Sequence, residues 1–127
     1  MHVAHVAIWT GDLERLSTFY SRFFGAQAGA PYRSRARPFE SIFLSFSSGA
    51  RLELMRVPAL LPHAGPDPRV GLAHLALATG SRAEVDRLTA ELAAAGHRVV
   101  GPPRTTGDGY YESVVLDPDG NAVEITA

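Results

Sequence analysis

The chain repeats itself, and that limits its possible folds more than any other feature. Val3-Ala4-His5-Val6-Ala7-Ile8 returns as Gly71-Leu72-Ala73-His74-Leu75-Ala76-Leu77-Ala78. His74 follows His5 by 69 residues (74 − 5), and Gly80 follows Gly11 by the same interval (80 − 11). Further on, Gly49-Ala50-Arg51-Leu52-Glu53-Leu54 returns as Gly120-Asn121-Ala122-Val123-Glu124-Ile125, so Glu124 follows Glu53 by 71 (124 − 53). A fixed internal offset marks a duplicated structural unit. Each half then carries one histidine near its start and one glutamate near its end.

The local patterns give both halves the same order of elements. Alternation over residues 3–9 predicts a strand with Val6 and Ile8 on one face and His5, Ala7 and Trp9 on the other. Asp12 is placed to cap a helix whose apolar stripe runs Leu13, Leu16, Phe19, Tyr20, Phe23, Phe24, and Gly25 is placed to stop it. Residues 26–40, with Pro31, Pro38 and the run Arg33, Arg35, Arg37, read as an exposed loop with at most a short edge strand, and the arginines as a solvated face. Strands are expected at Ile42–Phe46 and Arg51–Val57, joined by a turn at Ser47-Ser48-Gly49. The four prolines of residues 58–69 mark a linker, and His63 within it reads as a solvent-facing loop residue.

The second half opens with a strand over 70–78. Ser81 and Glu84 form a capping-box pattern ahead of the stripe Val85, Leu88, Leu92, Ala95, which Gly96 stops, with His97 beyond as an exposed polar residue. A short strand at Arg98–Val100, a loop at Pro102-Pro103 and a flexible stretch over 104–109 follow. Tyr110–Leu116, the turn Asp117-Pro118-Asp119-Gly120 and Ala122–Thr126 complete the unit. Modules 1–57 and 70–127 are thus each strand, helix, then about three strands, an α+β pattern in which the helix covers one sheet face. At 127 residues the two belong to one domain, since each alone is marginally small.

Strand parity puts His5, Glu53, His74 and Glu124 on the sheet faces turned away from the helices. Glutamates set mid-strand among apolar neighbours need a partner. Two unpaired carboxylates there repel each other, and a divalent cation relieves this while taking the imidazole lone pairs. The chain has no cysteine, so such an ion is held by nitrogen and oxygen alone. Ni, Co, Zn, Mn and Fe all accept that donor set. Trp9, Met55, Tyr110 and Tyr111 are the candidates for lining a substrate pocket. A net charge of −1 offers nothing to nucleic acid or an anionic membrane surface. No apolar run reaches the length of a membrane span, and no signal peptide is evident, so a cytoplasmic protein is expected.

These motifs, together with Gly11-Asp12-Leu13 through Phe19-Tyr20 and the closing Asp117-Pro118-Asp119-Gly120, resemble the vicinal oxygen chelate superfamily over nearly the whole chain. That superfamily includes glyoxalase I, extradiol dioxygenases, fosfomycin-resistance enzymes and bleomycin-binding proteins. The His/Glu/His/Glu order is most similar to glyoxalase I. The resemblance implies paired βαβββ modules forming a curved mixed sheet with helices on its outer face, usually in a homodimer. In many short members a site takes one module from each subunit, here His5 and Glu53 of one chain with His74 and Glu124 of the other. The implied activity is a lyase or isomerase step on a small oxygenated substrate such as a hemithioacetal, through an enediolate chelated by the metal. By position Glu124 matches the general base, with Glu53 the second candidate. Trp9 stands where glyoxalase I has a carboxylate-binding arginine, and Arg56-Val57-Pro58 lacks an expected asparagine, which argues against glutathione as co-substrate. The alternatives are an Fe(II) extradiol-type dioxygenase and a non-catalytic small-molecule-binding or resistance protein of the same fold.

Overall fold

Asp12 and Gly25 bracket the first helix as their residue types require. In the computed structural model, which describes residues 1–65 and 67–127, α1 spans Leu13–Phe24. The Asp12 carboxylate accepts the Arg15 N–H at 3.0 Å, and Gly25 takes the left-handed conformation at φ 65° that releases the chain from the helix. The chain divides into two units, Met1–Pro62 and His63–Ala127. Pro66, within the expected linker, lies outside the described residues.

The first unit holds strands β1 (His5–Trp9), β2 (Gln27–Ala28), β3 (Tyr32–Arg33), β4 (Glu40–Ser45) and β5 (Arg51–Arg56). Their order is β1-β5-β4-β2, with β3 also paired to β4. β1 and β5 are parallel and the other pairs antiparallel. Leu16, Phe19, Tyr20 and Phe23 of α1 are buried, as are Leu44, Leu52 and Leu54 of the sheet. Each fully buried leucine contributes about 1.5–3 kcal/mol over its exposed state. The stripe and the strand alternation therefore stabilise one arrangement, with the helix on one sheet face and His5, Ala7, Trp9, Glu53 and Met55 on the other.

The second unit repeats the plan with β6 (Leu75–Ala78), α2 (Arg82–Ala94), β7 (Val99–Thr105), β8 (Tyr111–Leu116) and β9 (Ala122–Thr126). The order is β6-β9-β8-β7, again with one parallel pair, β6 with β9. Ser81 caps α2 by accepting the Glu84 N–H at 3.3 Å. The Glu84 carboxylate turns to Arg87, whose guanidinium also reaches Glu91. Arg87 draws the Glu84 carboxyl below its ordinary value. Val85, Leu88 and Leu92 bury against Val115, Val123 and Ile125. A buried polar contact crosses the same layer. Thr89 Oγ1 donates to the Val85 carbonyl at 2.6 Å and lies 2.6 Å from Ser113 Oγ, so the Ser113 hydroxyl donates to Thr89.

Several boundaries differ from the sequence expectation: β2 and β3 lie within the expected loop over 26–40, and the strand expected from Tyr110 begins at Tyr111. Residues 70–74 do not join β6, and Gly71 adopts φ 137°, outside strand geometry. Conversely Pro102 and Pro103 lie inside β7 rather than in a loop. β7 is an edge strand with register shifts around Gly101, the setting in which proline's missing N–H is tolerated. Gly101 lets the strands approach there, since a Cβ would sit a tight 3.3 Å from the Val114 Cβ. His63 is exposed as expected, whereas His97 is half-buried. No helix among the described residues is long and apolar enough to cross a membrane. The architecture is α+β, two helices with two mixed sheets of five and four strands.

Candidate functional site

The parallel pairing of first and last strands sets each histidine beside its glutamate. In the first unit His5 is opposite Arg51, and Ala7 is opposite Glu53. Residues two apart share a face, so the His5 and Glu53 side chains meet diagonally across neighbouring strands. His5 Nε2 lies 3.7 Å from Glu53 Oε2, with the side chains 42% and 15% exposed. In the second unit Ala76 is opposite Glu124, and His74 stands just ahead of β6 in the same diagonal relation. His74 Nε2 lies 3.3 Å from Glu124 Oε2, with exposures of 45% and 17%. The two pairs match in atoms, separation and exposure, as a duplicated unit requires.

The turn that carries Glu124 is fixed by a buried carboxylate. Asp117 Oδ1 accepts the Asp119 and Asn121 backbone N–H groups at 2.9 Å each, and Oδ2 accepts the Asn121 amide at 2.8 Å. This holds the start of β9 at Ala122 and hence the placement of Glu124 two residues on.

The spacing of each pair suits a shared cation. Nitrogen and oxygen donors bind such an ion at about 2.0–2.2 Å, so two of them lie about 3.0 Å apart at right angles and about 3.4 Å apart at a tetrahedral angle. Both observed separations fall within a few tenths of an ångström of that range. Among the described residues no group of three or more His, Asp or Glu side chains is placed to hold an ion. Each unit thus brings together one imidazole and one carboxylate, too few by themselves to complete an ion's shell.

The four residues expected to line a pocket fall two in each unit. Trp9 and Met55 are opposite one another on the His5 face. Trp9 is half exposed and meets Phe39 edge-on, with centroids 6.4 Å apart. Tyr110 is exposed in the turn before β8, where its N–H donates to Thr106 Oγ1 at 3.0 Å. Tyr111 lies on the other side of its sheet. Its hydroxyl donates to Asp86 of α2 at 2.6 Å, and the Arg82 guanidinium lies over its ring at 5.0 Å. The hydrogen bond to Asp86 raises the Tyr111 phenol above its ordinary value. Tyr111 therefore faces the helix with Ser113 and Val115, away from Glu124.

Residues not singled out in the sequence complete the open faces. Phe43 is opposite Glu53 and touches His5 edge to face, with centroids 5.5 Å apart at 84°. The Arg51 guanidinium covers the same ring at 4.3 Å. At the equivalent place, 71 residues on (114 − 43), Val114 is opposite Glu124. Glu112 shares that face by alternation and is paired to Arg104 at 3.3 Å. The signal for Phe43 was its parity with Glu53 across a hairpin, which needs the register of β4 and β5 to be known.

Comparison with known proteins places these features in context. A family model described as the Glyoxalase/Bleomycin resistance protein/Dioxygenase superfamily matches residues 2–125. The uncharacterized protein YqjT of Bacillus subtilis (strain 168) is 32% identical over 134 residues, covering 97% of this chain and 96% of its own. A glyoxylase/bleomycin resistance protein/dioxygenase domain from Frankia sp. EAN1pec superposes with a TM-score of 0.84 at 20% identity, over 99% of this chain and 96% of that one. Glyoxalase I from Zea mays superposes with a TM-score of 0.80 at 22% identity, over 98% of this chain. This chain spans 44% of the maize protein's length.

Proposed function

The chain belongs to the Glyoxalase/Bleomycin resistance protein/Dioxygenase superfamily, and from that premise we propose that it is a metal-dependent lyase or isomerase of the glyoxalase I type. The observation that carries this reading is the matched pair of half-sites, His5 with Glu53 and His74 with Glu124. A four-ligand set takes one pair of each kind, from the two halves of one chain or from two copies in a homodimer. A divalent ion held there would polarise two neighbouring substrate oxygens and lower the barrier to proton loss from the hydroxyl-bearing carbon beside the carbonyl.

The residues divide the work. His5 and His74 supply neutral donors. Glu53 and Glu124 supply the negative charge that offsets the cation. Glu124 takes the proton from one substrate carbon and returns it to its neighbour, so no net proton is gained or lost. Glu53, its counterpart in the repeat, is the second candidate for that step. Trp9 and Met55 present apolar surface beside the first pair, suited to an uncharged portion of a small oxygenated substrate.

Metal content and turnover test the reading together. Purified protein is expected to hold a divalent ion that depends on all four side chains and to isomerise the hemithioacetal of methylglyoxal with a small thiol. Stoichiometric metal without that activity redirects the search to another oxygenated substrate. Protein that retains its metal after His5→Ala and His74→Ala overturns the ligand assignment.

A further inference from the structure

The arginines of residues 33–37 are exposed, as their sequence suggests, and two of them, Arg33 and Arg37, border a concavity. At the open end of the β4–β5 hairpin a cavity of about 240 Å³ is lined by Arg33, Arg37 and Arg56, with Glu40, Phe39 and Pro58 among its other walls. Arg56 comes from the end of β5, about twenty residues from the other two, so the cluster is made by the fold. Three positive charges face one negative charge.

Each guanidinium has a partner. Glu40 engages Arg33 on one carboxylate oxygen and Arg56 on the other, the latter at 3.2 Å. Arg37 lies over the Phe39 ring, 4.6 Å from its centroid. The connecting loop is fixed by its own bonds. The Ser34 N–H donates to the Phe39 carbonyl at 2.9 Å, the Phe39 N–H to the Arg37 carbonyl at 2.8 Å, and the Ala36 N–H to Ser34 Oγ at 3.3 Å. Preorganised guanidinium forks suit planar, bidentate anions, and little entropy is lost when they bind. Phe39, Val57 and Pro58 add apolar wall, and Phe39 continues to Trp9 through their edge-on contact. The volume is below the roughly 300–1,000 Å³ of a pocket for a complete drug-sized ligand, and fits one end of a small molecule.

We propose that this cavity is an anion-binding subsite, taking the carboxylate or phosphate group of a small organic anion whose aromatic or short apolar body lies on Phe39 toward Trp9. The subsite is independent of the metal reading, because none of its residues belongs to either His–Glu pair. It recognises the ligand by charge and by a flat apolar contact, so a neutral molecule of the same shape is excluded.

Trp9 is the chain's one tryptophan and reports directly on this region. Titration with benzoate and, separately, phenyl phosphate is expected to change its fluorescence saturably, and the tighter of the two identifies the preferred head group. Benzyl alcohol, which lacks the charge, is expected to give no saturable change. Arg37→Ala with Arg56→Ala should weaken binding at least about tenfold, because charge-assisted hydrogen bonds are lost. Single Arg37→Ala, on an exposed loop residue, supplies the same comparison should the double variant misfold. Arg35→Ala, outside the cavity lining, should leave binding unchanged. His5→Ala with Glu53→Ala should also leave it unchanged, which separates this subsite from the metal half-site. Absence of a saturable response to either anion, an equal response to benzyl alcohol, or full binding by the arginine variants overturns the proposal.

Discussion

Phe43→Ala is the sharpest probe of how the first half-site is held. The ring touches the His5 imidazole edge to face at 5.5 Å and carries the Arg51 guanidinium at 4.3 Å. An aromatic edge contact contributes about 0.5–1.5 kcal/mol, and an exposed cation–π contact about 0.5–1 kcal/mol. Phe43 is only half-buried, so the global destabilisation should be about 1–2.5 kcal/mol, below the roughly 3–5 kcal/mol of a full-core Phe→Ala change. The functional loss lies in His5, which keeps Glu53 nearby but loses the wall that orients its ring. Loss of such a support typically weakens a metal site about 10–100-fold, equivalent to about 1.4–2.7 kcal/mol. Competition between the protein and a chromophoric chelator for cobalt measures this directly. Val114→Ala is the internal control, since Val114 holds the same place opposite Glu124 but offers His74 no ring. Its effect should stay within about 0.5 kcal/mol, or roughly twofold. Unchanged cobalt affinity in Phe43→Ala, or an equal loss in Val114→Ala, would refute the reasoning.

Mixing two inactive variants tests where the half-sites join. If they meet between copies, His5→Ala/Glu53→Ala refolded with His74→Ala/Glu124→Ala should regain about half of the metal capacity per mixed dimer, because one of the two sites is then intact; a site formed within one chain regains none. Thr89→Val leaves the buried Ser113 hydroxyl without its acceptor, and should cost about 1–3 kcal/mol in urea unfolding. Adding Ser113→Ala should restore part of that loss, and strict additivity would contradict the assigned contact. Tyr111 titrates above its ordinary 10.0 because its hydroxyl donates to the Asp86 carboxylate. The neutral phenol is the stabilised form, so this contribution is present below pH 10 and fades as pH rises through the higher folded value. Alkaline absorbance should show one of the four tyrosines returning toward its ordinary titration in Asp86→Asn, and an unchanged curve would exclude the hydrogen bond as the cause.

What the sequence disclosed follows a physical division. Helix α1 matches its expected span from Leu13 to Phe24, because its stripe and both caps lie within the helix itself. The faces of β1, β5 and β9 follow from period-two alternation alone. What stayed hidden depends on neighbours distant in sequence. Pro102 and Pro103 argue against a strand unless β7 is known to be an edge. Tyr111 stands among the pocket candidates because nothing in the sequence shows that Asp86 of α2 reaches its hydroxyl. Phe43 gained its place beside His5 only through the β4–β5 register. The arginine run is exposed as expected, and only the fold brings Arg56 beside two of its members.

The repeat therefore retained one thing and varied another. Both halves keep a histidine and a glutamate at the same diagonal, with nearly the same exposure. The walls around them have diverged. The first half surrounds its pair with Phe43, Arg51, Trp9 and Met55, whereas the second places Val114, Ala76 and the neutralised Glu112–Arg104 pair at its own open face. Two equal donor pairs satisfy the demand of a cation, which is spherical and makes the same demand of each half. A small organic substrate makes no such symmetric demand, since its ends differ in charge and shape. On the proposed function, unlike walls around like donor pairs are the pattern expected of a duplicated scaffold that holds a symmetric ion and an asymmetric ligand. On that argument, exchanging Phe43 and Val114 between the halves should alter substrate preference far more than it alters metal stoichiometry, and a loss of metal with preference intact would show that the walls serve the donors instead.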